Sequence, residues 1–264
     1  MNKLLSFKEM HQQDGLLFLP NAWDLLSALV LEQSGFKAIG TTSWGVANAM
    51  GYKDGENIEF DVLLALAKKM VLTVDIPVTV DIESGYSEDI NLVADNALRV
   101  AEIGAVGINF EDSLKNNSGL IDVAIQCDFL EKIRSRLDNN GFADFFINAR
   151  IDTYFQLENP LSETMSRARK YFISGANGIF VPGLNNSDEI EQVVGSTEAP
   201  LNVMSLASLT DVDSLNKLGV KRFSIGNALS DATTAFIEQK SSQILTQQNT
   251  ASLYESCEVK TVFR

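Results

Sequence analysis

"PVTVDIESGYS", residues 77–87, begins as a buried strand and ends on a turn. Val78, Val80 and Ile82 take one side of the pleat, while Thr79, Asp81 and Glu83 take the other. Two carboxylates on one face at the end of an apolar run repel each other, and burial adds to the cost of ionising them. Just beyond Gly85, "INLVADNALRVAEIG" carries apolar side chains at threes and fours, the helical period. The stretch therefore reads as a strand, a glycine turn and an amphipathic helix, with charged groups at the carboxyl end of the strand.

The same unit recurs along the chain. Strands are expected at "LLFLP" (16–20), "AIGTTS" (38–43), "VTVDIE" (78–83), "GINFED" (107–112), "FFINARID" (145–152), "GIFVPG" (178–183), "LNVMS" (201–205) and "RFSIG" (222–226). Helical runs such as "DLLSALVLEQSG", "FDVLLALAKKMVL" and "LSETMSRARKYFISG" separate them, several closed by a glycine suited to a left-handed cap. Eight strands alternating with helices predict an α/β fold, a (β/α)8 TIM barrel. A doubly wound open sheet is the alternative, but neither GxGxxG nor GxxxxGK[ST] is present. No linker rich in Pro, Gly or Ser appears, so residues 1–264 read as one domain. A C-terminal helix and extension are expected from about residue 236, with hydrophobic spots suited to a neighbouring subunit.

A formal net charge of -14 across 264 residues offers phosphates no basic stripe and argues against a nucleic-acid partner. No signal peptide and no bilayer-spanning apolar run is visible. Cys127 and Cys257 have no metal-type spacing and suit a reducing compartment, so a cytoplasmic location is expected. The one histidine, His11, lies in the polar segment "KEMHQQDG" and reads as a surface residue. That argues against a Ser-His-Asp triad, a His-rich zinc site and a His general base, and leaves carboxylates, Arg, Lys, hydroxyls and a metal to do the chemistry. Asn21 and Asp24 of "NAWD" read as a helix cap and an early-turn acid, without chemistry.

Strand-end parity recurs in the next two strands. Asn109 and Glu111 oppose Ile108 and Phe110, and Asn148 and Arg150 oppose Ile147, Ala149 and Ile151. Inward positions at the carboxyl ends of barrel strands form the mouth of the site. Asp81, Glu83, Glu111 and Arg150 are therefore expected to converge there. Oxygen-only ligands favour Mg2+ over zinc, and Mg2+ takes few protein ligands directly while keeping several waters.

The ordered motifs "PNAWD", "TTS", "GYKDGE", "VDIESGY", "GINFEDS", "NARID" and "VPGL" resemble those of the isocitrate lyase/phosphoenolpyruvate mutase superfamily, from about residue 7 to 235. The resemblance implies a barrel whose eighth helix is swapped with a neighbour in a homodimer or homotetramer. It implies Mg2+, with Mn2+ as a substitute, and cleavage of C–C or C–P bonds in a small 2-oxo or 2-hydroxy carboxylate through an enolate. By motif, Asp81 is the direct metal ligand, Glu83 stands where Asp is more usual, and Glu111 and Asp54 hold metal-bound waters. Arg150 is expected to pair with a substrate carboxylate or phosphonate. Thr41, Thr42, Ser43 and Trp44 are the expected substrate-carboxylate segment, and Asn202 a further substrate contact.

The loop after "GINFED" divides the possible reactions. Isocitrate and methylisocitrate lyases carry a Lys-Lys/Arg-Cys-Gly-His run there, whereas this chain reads "SLKNNSGLID", which argues against that activity. Cys127 lies in the following helical pattern and reads as packing. With two residues deleted, Lys115, Asn117 and Ser118 match the gating residues of phosphonopyruvate enzymes, although a polar surface turn has the same composition. The phosphonate-binding histidine of those enzymes is replaced by the region of Pro182 and Gly183. Three readings follow. The first is a Mg2+-dependent lyase, decarboxylase or hydrolase of an acid such as oxaloacetate or a malate derivative. The second is a C–P bond mutase or hydrolase, and the third a barrel that binds metabolites without catalysis.

Overall fold

The computed structural model describes residues 3–114, 119–254 and 262. All nine of its strands are parallel and lie in one sheet. They are β1 (Leu17–Leu19), β2 (Asn21–Ala22), β3 (Ile39–Thr41), β4 (Val78–Asp81), β5 (Gly107–Glu111), β6 (Phe146–Arg150), β7 (Gly178–Phe180), β8 (Leu201–Met204) and β9 (Arg222–Ser224). Each of the eight expected runs contains a strand, and a short ninth strand, β2, which was not expected, follows the first.

Proline parts the two. Pro20 has no N–H to give to a ladder and separates β1, which pairs with β9, from β2, which pairs with β3. Because β1 and β2 are consecutive in the chain, the two ends of the sheet meet and the barrel is nearly closed. Asn21 stitches the seam. Its Nδ2 donates to the Thr41 carbonyl at 2.9 Å, and its Oδ1 accepts from the Gly226 N–H at 2.8 Å. The expected helix cap at Asn21 is thus a barrel fastener, and Asp24 caps the following helix, accepting from the Ser27 N–H at 2.7 Å.

Helices α1 (Lys3–Met10), α2 (Leu25–Gln33), α3 (Ser43–Met50), α4 (Phe60–Thr73), α5 (Ile90–Glu102), α6 (Val123–Asn139), α7 (Thr153–Gln156), α8 (Leu161–Ile173), α9 (Ser187–Ser196), α10 (Val212–Lys217) and α11 (Ala228–Gln247) complete the described elements. The alternation read in the sequence sorts side chains between two surroundings. Val80, Ile82, Ile108, Phe110, Ile147 and Ala149 are fully buried in one core with Val93 and Ala97 of α5, Leu130 of α6 and Ala168 of α8. Full burial of a large aliphatic side chain contributes about 2 kcal/mol. The opposite parity, including Thr79, Asp81, Asn109, Asn148, Asn202, Arg222 and Ser224, is buried and polar.

Helix α11 is an exception to this economy. Among its twenty residues Ser230 alone is buried, and Leu229, Phe236, Ile237 and Leu245 are exposed. The helix starts at Ala228, ahead of the expected residue 236, and ends at Gln247.

His11 is not on the surface. It is 4% exposed, stacked on Phe146 with ring centroids 4.1 Å apart and set edge-on to Phe7. Its Nδ1 lies 2.9 Å from the Phe7 carbonyl. The polar neighbours in sequence hid this, because α1 turns one apolar face, with Phe7, onto the barrel. Burial, and then the charge of Arg222, lower its pKa to about 3. An unfolded histidine titrates at about 6.5, so the unfolded chain binds the extra proton first as pH falls. Stability from the neutral ring is complete above about pH 6.5 and declines towards pH 3. In urea unfolding, His11→Phe is expected to lose about 2 kcal/mol less than wild type between pH 7 and pH 4.5.

Candidate active site

Asp81 ends β4, and a short chain of bonds fixes its direction. Its N–H donates to Thr41 Oγ1 at 2.8 Å. Its Oδ1 accepts from the Glu83 N–H at 3.0 Å and its Oδ2 from Asn109 Nδ2 at 3.3 Å. Asn109 is oriented from below, since its Oδ1 accepts from Asn148 Nδ2 at 2.9 Å and Arg222 Nη2 at 3.4 Å. Burial raises the Asp81 pKa and the positive charge of Arg150 opposes the rise.

Glu83 is placed by a turn and not by strand parity. The strand ends at Asp81, and Glu83 and Tyr86 both adopt left-handed backbone, with φ of 50° and 63°. Such angles are costly for residues with a Cβ and are held here by surrounding bonds. Glu83 Oε2 accepts from the Glu56 N–H at 2.7 Å and Oε1 from the Tyr86 hydroxyl at 3.0 Å. Burial, with the charges of Asp54 and Asp81, pushes the Glu83 pKa up to about 8. Asp54, exposed on the loop after α3, stands near enough to raise both Asp81 and Glu83.

Glu111 and Arg150 are register partners at the ends of β5 and β6, joined by a 2.8 Å ion pair. Burial drives the Glu111 pKa well up, against the pull of Arg150. The guanidinium fork expected for a substrate is already engaged. Arg150 Nε lies 2.6 Å from Asp152 Oδ1, and Nη2 donates to Asp152 Oδ2 at 3.0 Å. Asp152 also accepts from Ser113 Oγ at 2.5 Å, while its N–H donates to Asp112. Asp112 in turn is paired with Arg167 at 2.9 Å. Asp152 escaped the sequence reading although its parity matches Asn148 and Arg150, four and two residues earlier.

The "TTSW" segment does not continue as strand. Thr41 ends β3 and spends its hydroxyl on Asp81, and Thr42 is the N-cap of α3, its hydroxyl facing the Gly45 N–H at 3.3 Å. Ser43 and Trp44 form the first turn of α3, where main-chain N–H groups and the helix dipole favour an anion. Trp44 Nε1 donates to Asp231 of α11 at 2.9 Å. Asn202 is fully buried, its Oδ1 accepting from Ser224 Oγ at 3.3 Å. Lys115 and Asn117, with Ser118 and Cys257, lie outside the described residues. Cys127 is half-buried beside the core, in keeping with packing.

Together these groups border a cavity of about 200 Å3 at the carboxyl ends of the strands, lined by Asn21, Thr41–Trp44, Asp54, Asp81, Asn109 and Arg150 together with Phe155, Phe180, Pro182 and Met204. Glu83 and Glu111 stand behind this lining. A larger cleft of about 580 Å3 lies at the other end of the barrel, around His11, Phe146 and Lys221. Barrel enzymes place chemistry at the carboxyl end, so the smaller, acid-lined cavity is the candidate site.

The donor set fits a hard divalent cation. Among the described residues no three His, Cys, Asp or Glu side chains form a ready metal cage. Mg2+ needs none, because it takes one or two carboxylates and keeps its waters. The carboxylate oxygens gathered here suit such an ion, as does the rise in the Glu83 pKa from burial and from the charges of Asp54 and Asp81. Asp81, directed at the cavity, would hold it, with Asp54, Glu83 and Glu111 around it.

The family model described as phosphoenolpyruvate phosphomutase matches residues 7–245. The chain belongs to the isocitrate lyase/phosphoenolpyruvate mutase superfamily. An uncharacterized protein of Mycobacterium tuberculosis is 38% identical over 224 residues, covering 84% of this chain and 82% of that protein. Phosphoenolpyruvate phosphomutase of Streptomyces hygroscopicus is 30% identical, covering 69% of this chain and 61% of its own. A crystal structure of a candidate phosphonomutase from Burkholderia cenocepacia superposes with a TM-score of 0.87 and 35% identity, over 90% of this chain and 98% of that one. Superfamily relatives include lyases and a decarboxylase. A phosphonopyruvate hydrolase bound to oxalate and Mg2+ shares the fold at 20% identity and a TM-score of 0.85, over 94% and 89% of the two chains. The superfamily is thus one of enzymes acting on C–C or C–P bonds. No helix among the described residues is long and apolar enough to cross a membrane.

Within this superfamily site, Asp152 and Asp54 predict opposite behaviour. Asp152→Ala leaves Ser113 without its buried partner and Arg150 with Glu111 alone, and is expected to cost about 3 kcal/mol in denaturant unfolding. Asp54→Asn, at the exposed rim, is expected to change stability by less than about 0.5 kcal/mol.

Proposed function

We propose that this protein is a Mg2+-dependent lyase that cleaves a C–C bond beside the 2-oxo or 2-hydroxy group of a small carboxylate, with decarboxylation or hydrolysis as forms of the same cleavage. Mn2+ can substitute. The observation that carries the reading is the grouping of Glu83 and Glu111 behind a cavity lined by Asp54 and Asp81, whose one described cationic lining residue is Arg150.

Asp81 would hold the ion directly, with Glu83, Glu111 and Asp54 holding its waters. A cation held there would supply Lewis acidity to the 2-oxo group. The chain's own residues do the positioning. Thr41 and Asn109 fix the Asp81 carboxylate, and Asp152 holds the Arg150 guanidinium rigid beside the developing charge. Ser43 and Trp44, opening α3, receive the substrate carboxylate, and the Trp44 ring covers it from water. Asn202 supports the far side of the site.

Phosphonopyruvate-type C–P cleavage is the second reading, favoured by the family model and the Streptomyces relative. Against it, Pro182 lines the cavity where those enzymes carry a histidine. We further propose one barrel domain over residues 1–264, in the cytoplasm, without nucleic acid or membrane as partner. The exposed apolar side chains of α11 support exchange of this helix within a homodimer or homotetramer.

Calorimetry with oxalate, a mimic of the pyruvate enolate, tests the site. Wild type is expected to bind oxalate only with Mg2+ or Mn2+, Asp81→Ala to lose binding, and Glu83→Gln to weaken it about tenfold. Metal-independent binding, or full binding by Asp81→Ala, would remove the proposal. In sedimentation, Phe236→Glu combined with Ile237→Glu is expected to convert the oligomer to monomer.

A further inference from the structure

Asp54 lies on the segment between α3 and α4, most of which is exposed. Among residues 51–57, Glu56 alone is half-buried. Asn57 Nδ2 donates to the Asp54 carbonyl at 3.0 Å and to the Gly55 carbonyl at 3.2 Å, which curls the segment on itself. Glu56 ties it to the turn after β4. The Glu56 N–H donates to Glu83 Oε2 at 2.7 Å, and Glu56 Oε1 accepts from Ser84 Oγ and from the Tyr86 N–H, both at 2.8 Å.

Backbone strain gathers at the same place. Four residues other than glycine have left-handed φ among the described residues. Three of them, Glu56 at 56°, Glu83 at 50° and Tyr86 at 63°, belong to this clasp. Such angles persist where surrounding bonds over-determine them, and they cluster at functional sites. The turn itself is anchored from α5. Asn96 Nδ2 donates to the Gly85 carbonyl at 3.0 Å, and a Cβ on Gly85 would fall 2.6 Å from Val93. The Tyr86 ring meets Phe60 of α4 with centroids 5.4 Å apart. The Asp54 segment thus hangs on an anchored turn through three hydrogen bonds made by one residue. Asp54 lines the cavity, and Glu56 stands outside the lining.

We infer that Glu56 is a positioning residue of the metal site. By clasping Glu83, Ser84 and Tyr86 it brings Asp54 to the cavity rim and orients Glu83, so that both carboxylates are in place before an ion arrives. The Glu56 carboxylate acts here as an acceptor more than as a charge, because the two groups that donate to it, a hydroxyl and a main-chain amide, are neutral. This inference rests on the proposed binding of Mg2+ at Asp81.

Titration of the metal-free full chain with Mn2+, followed by electron paramagnetic resonance, provides the test together with amide hydrogen exchange over residues 51–59. Glu56→Ala is expected to weaken Mn2+ binding about tenfold and to speed exchange over 51–59. Glu56→Gln, which keeps an acceptor oxygen, is expected to retain wild-type affinity and slow exchange. Should Glu56→Ala lose its fold, Ser84→Ala decides: removing one donor to the clasp is expected to weaken Mn2+ binding about threefold, and wild-type affinity would overturn the inference. Unchanged affinity in Glu56→Ala, weaker binding without faster exchange, or a Gln variant as weak as the Ala variant also overturns it and leaves the metal site standing. If wild type itself binds no Mn2+, the metal reading falls and this inference falls with it.

Discussion

Like charges forced together out of water are the constraint on which this molecule turns. The carboxyl ends of β4 and β5 bring Asp81 and Glu111 towards the loop acids Asp54 and Glu83, and each raises the cost of ionising its neighbours. The fold offsets that cost only in part. Arg150 is divided between Glu111 and Asp152, and Arg222, buried beneath, reaches Asp81 through Asn109. Arg222 itself pays heavily for its position: burial lowers its pKa to about 9, and its Nε and Nη1 find no partner among the described residues. A barrel stabilised only for its own sake would fill this interior with aliphatic side chains. Retention of so costly an arrangement makes sense where a cation and an acid ligand complete it.

The barrel was legible because strand parity and helical period are written directly in residue type. "VTVDIE", "GINFED" and "FFINARID" alternate cleanly, and their apolar halves do face the helices while the polar halves face the axis. The acid cluster was legible for the same reason. Details that depend on a change of backbone direction were not. Glu83 takes its place from a left-handed turn, and Ser43 from a helix that begins two residues after β3 ends. His11 misled because four polar neighbours outweigh one stacking ring in any local reading. Arg222 and Asp152 had the right parity, and only their contacts reveal that one sits under Asp81 and the other grips Arg150.

The acids of the site resemble what the superfamily pattern leads one to expect, and they and their partners are bound to one another so tightly that none is independent. Thr41 holds Asp81, Asp81 holds the turn at Glu83, and Glu111 holds Arg150.

Asn21 ties the cavity to the frame. Because Pro20 interrupts the first strand, one amide side chain both fastens the barrel's seam and borders the cavity. A substitution there that reshaped the cavity would also unlatch the cylinder.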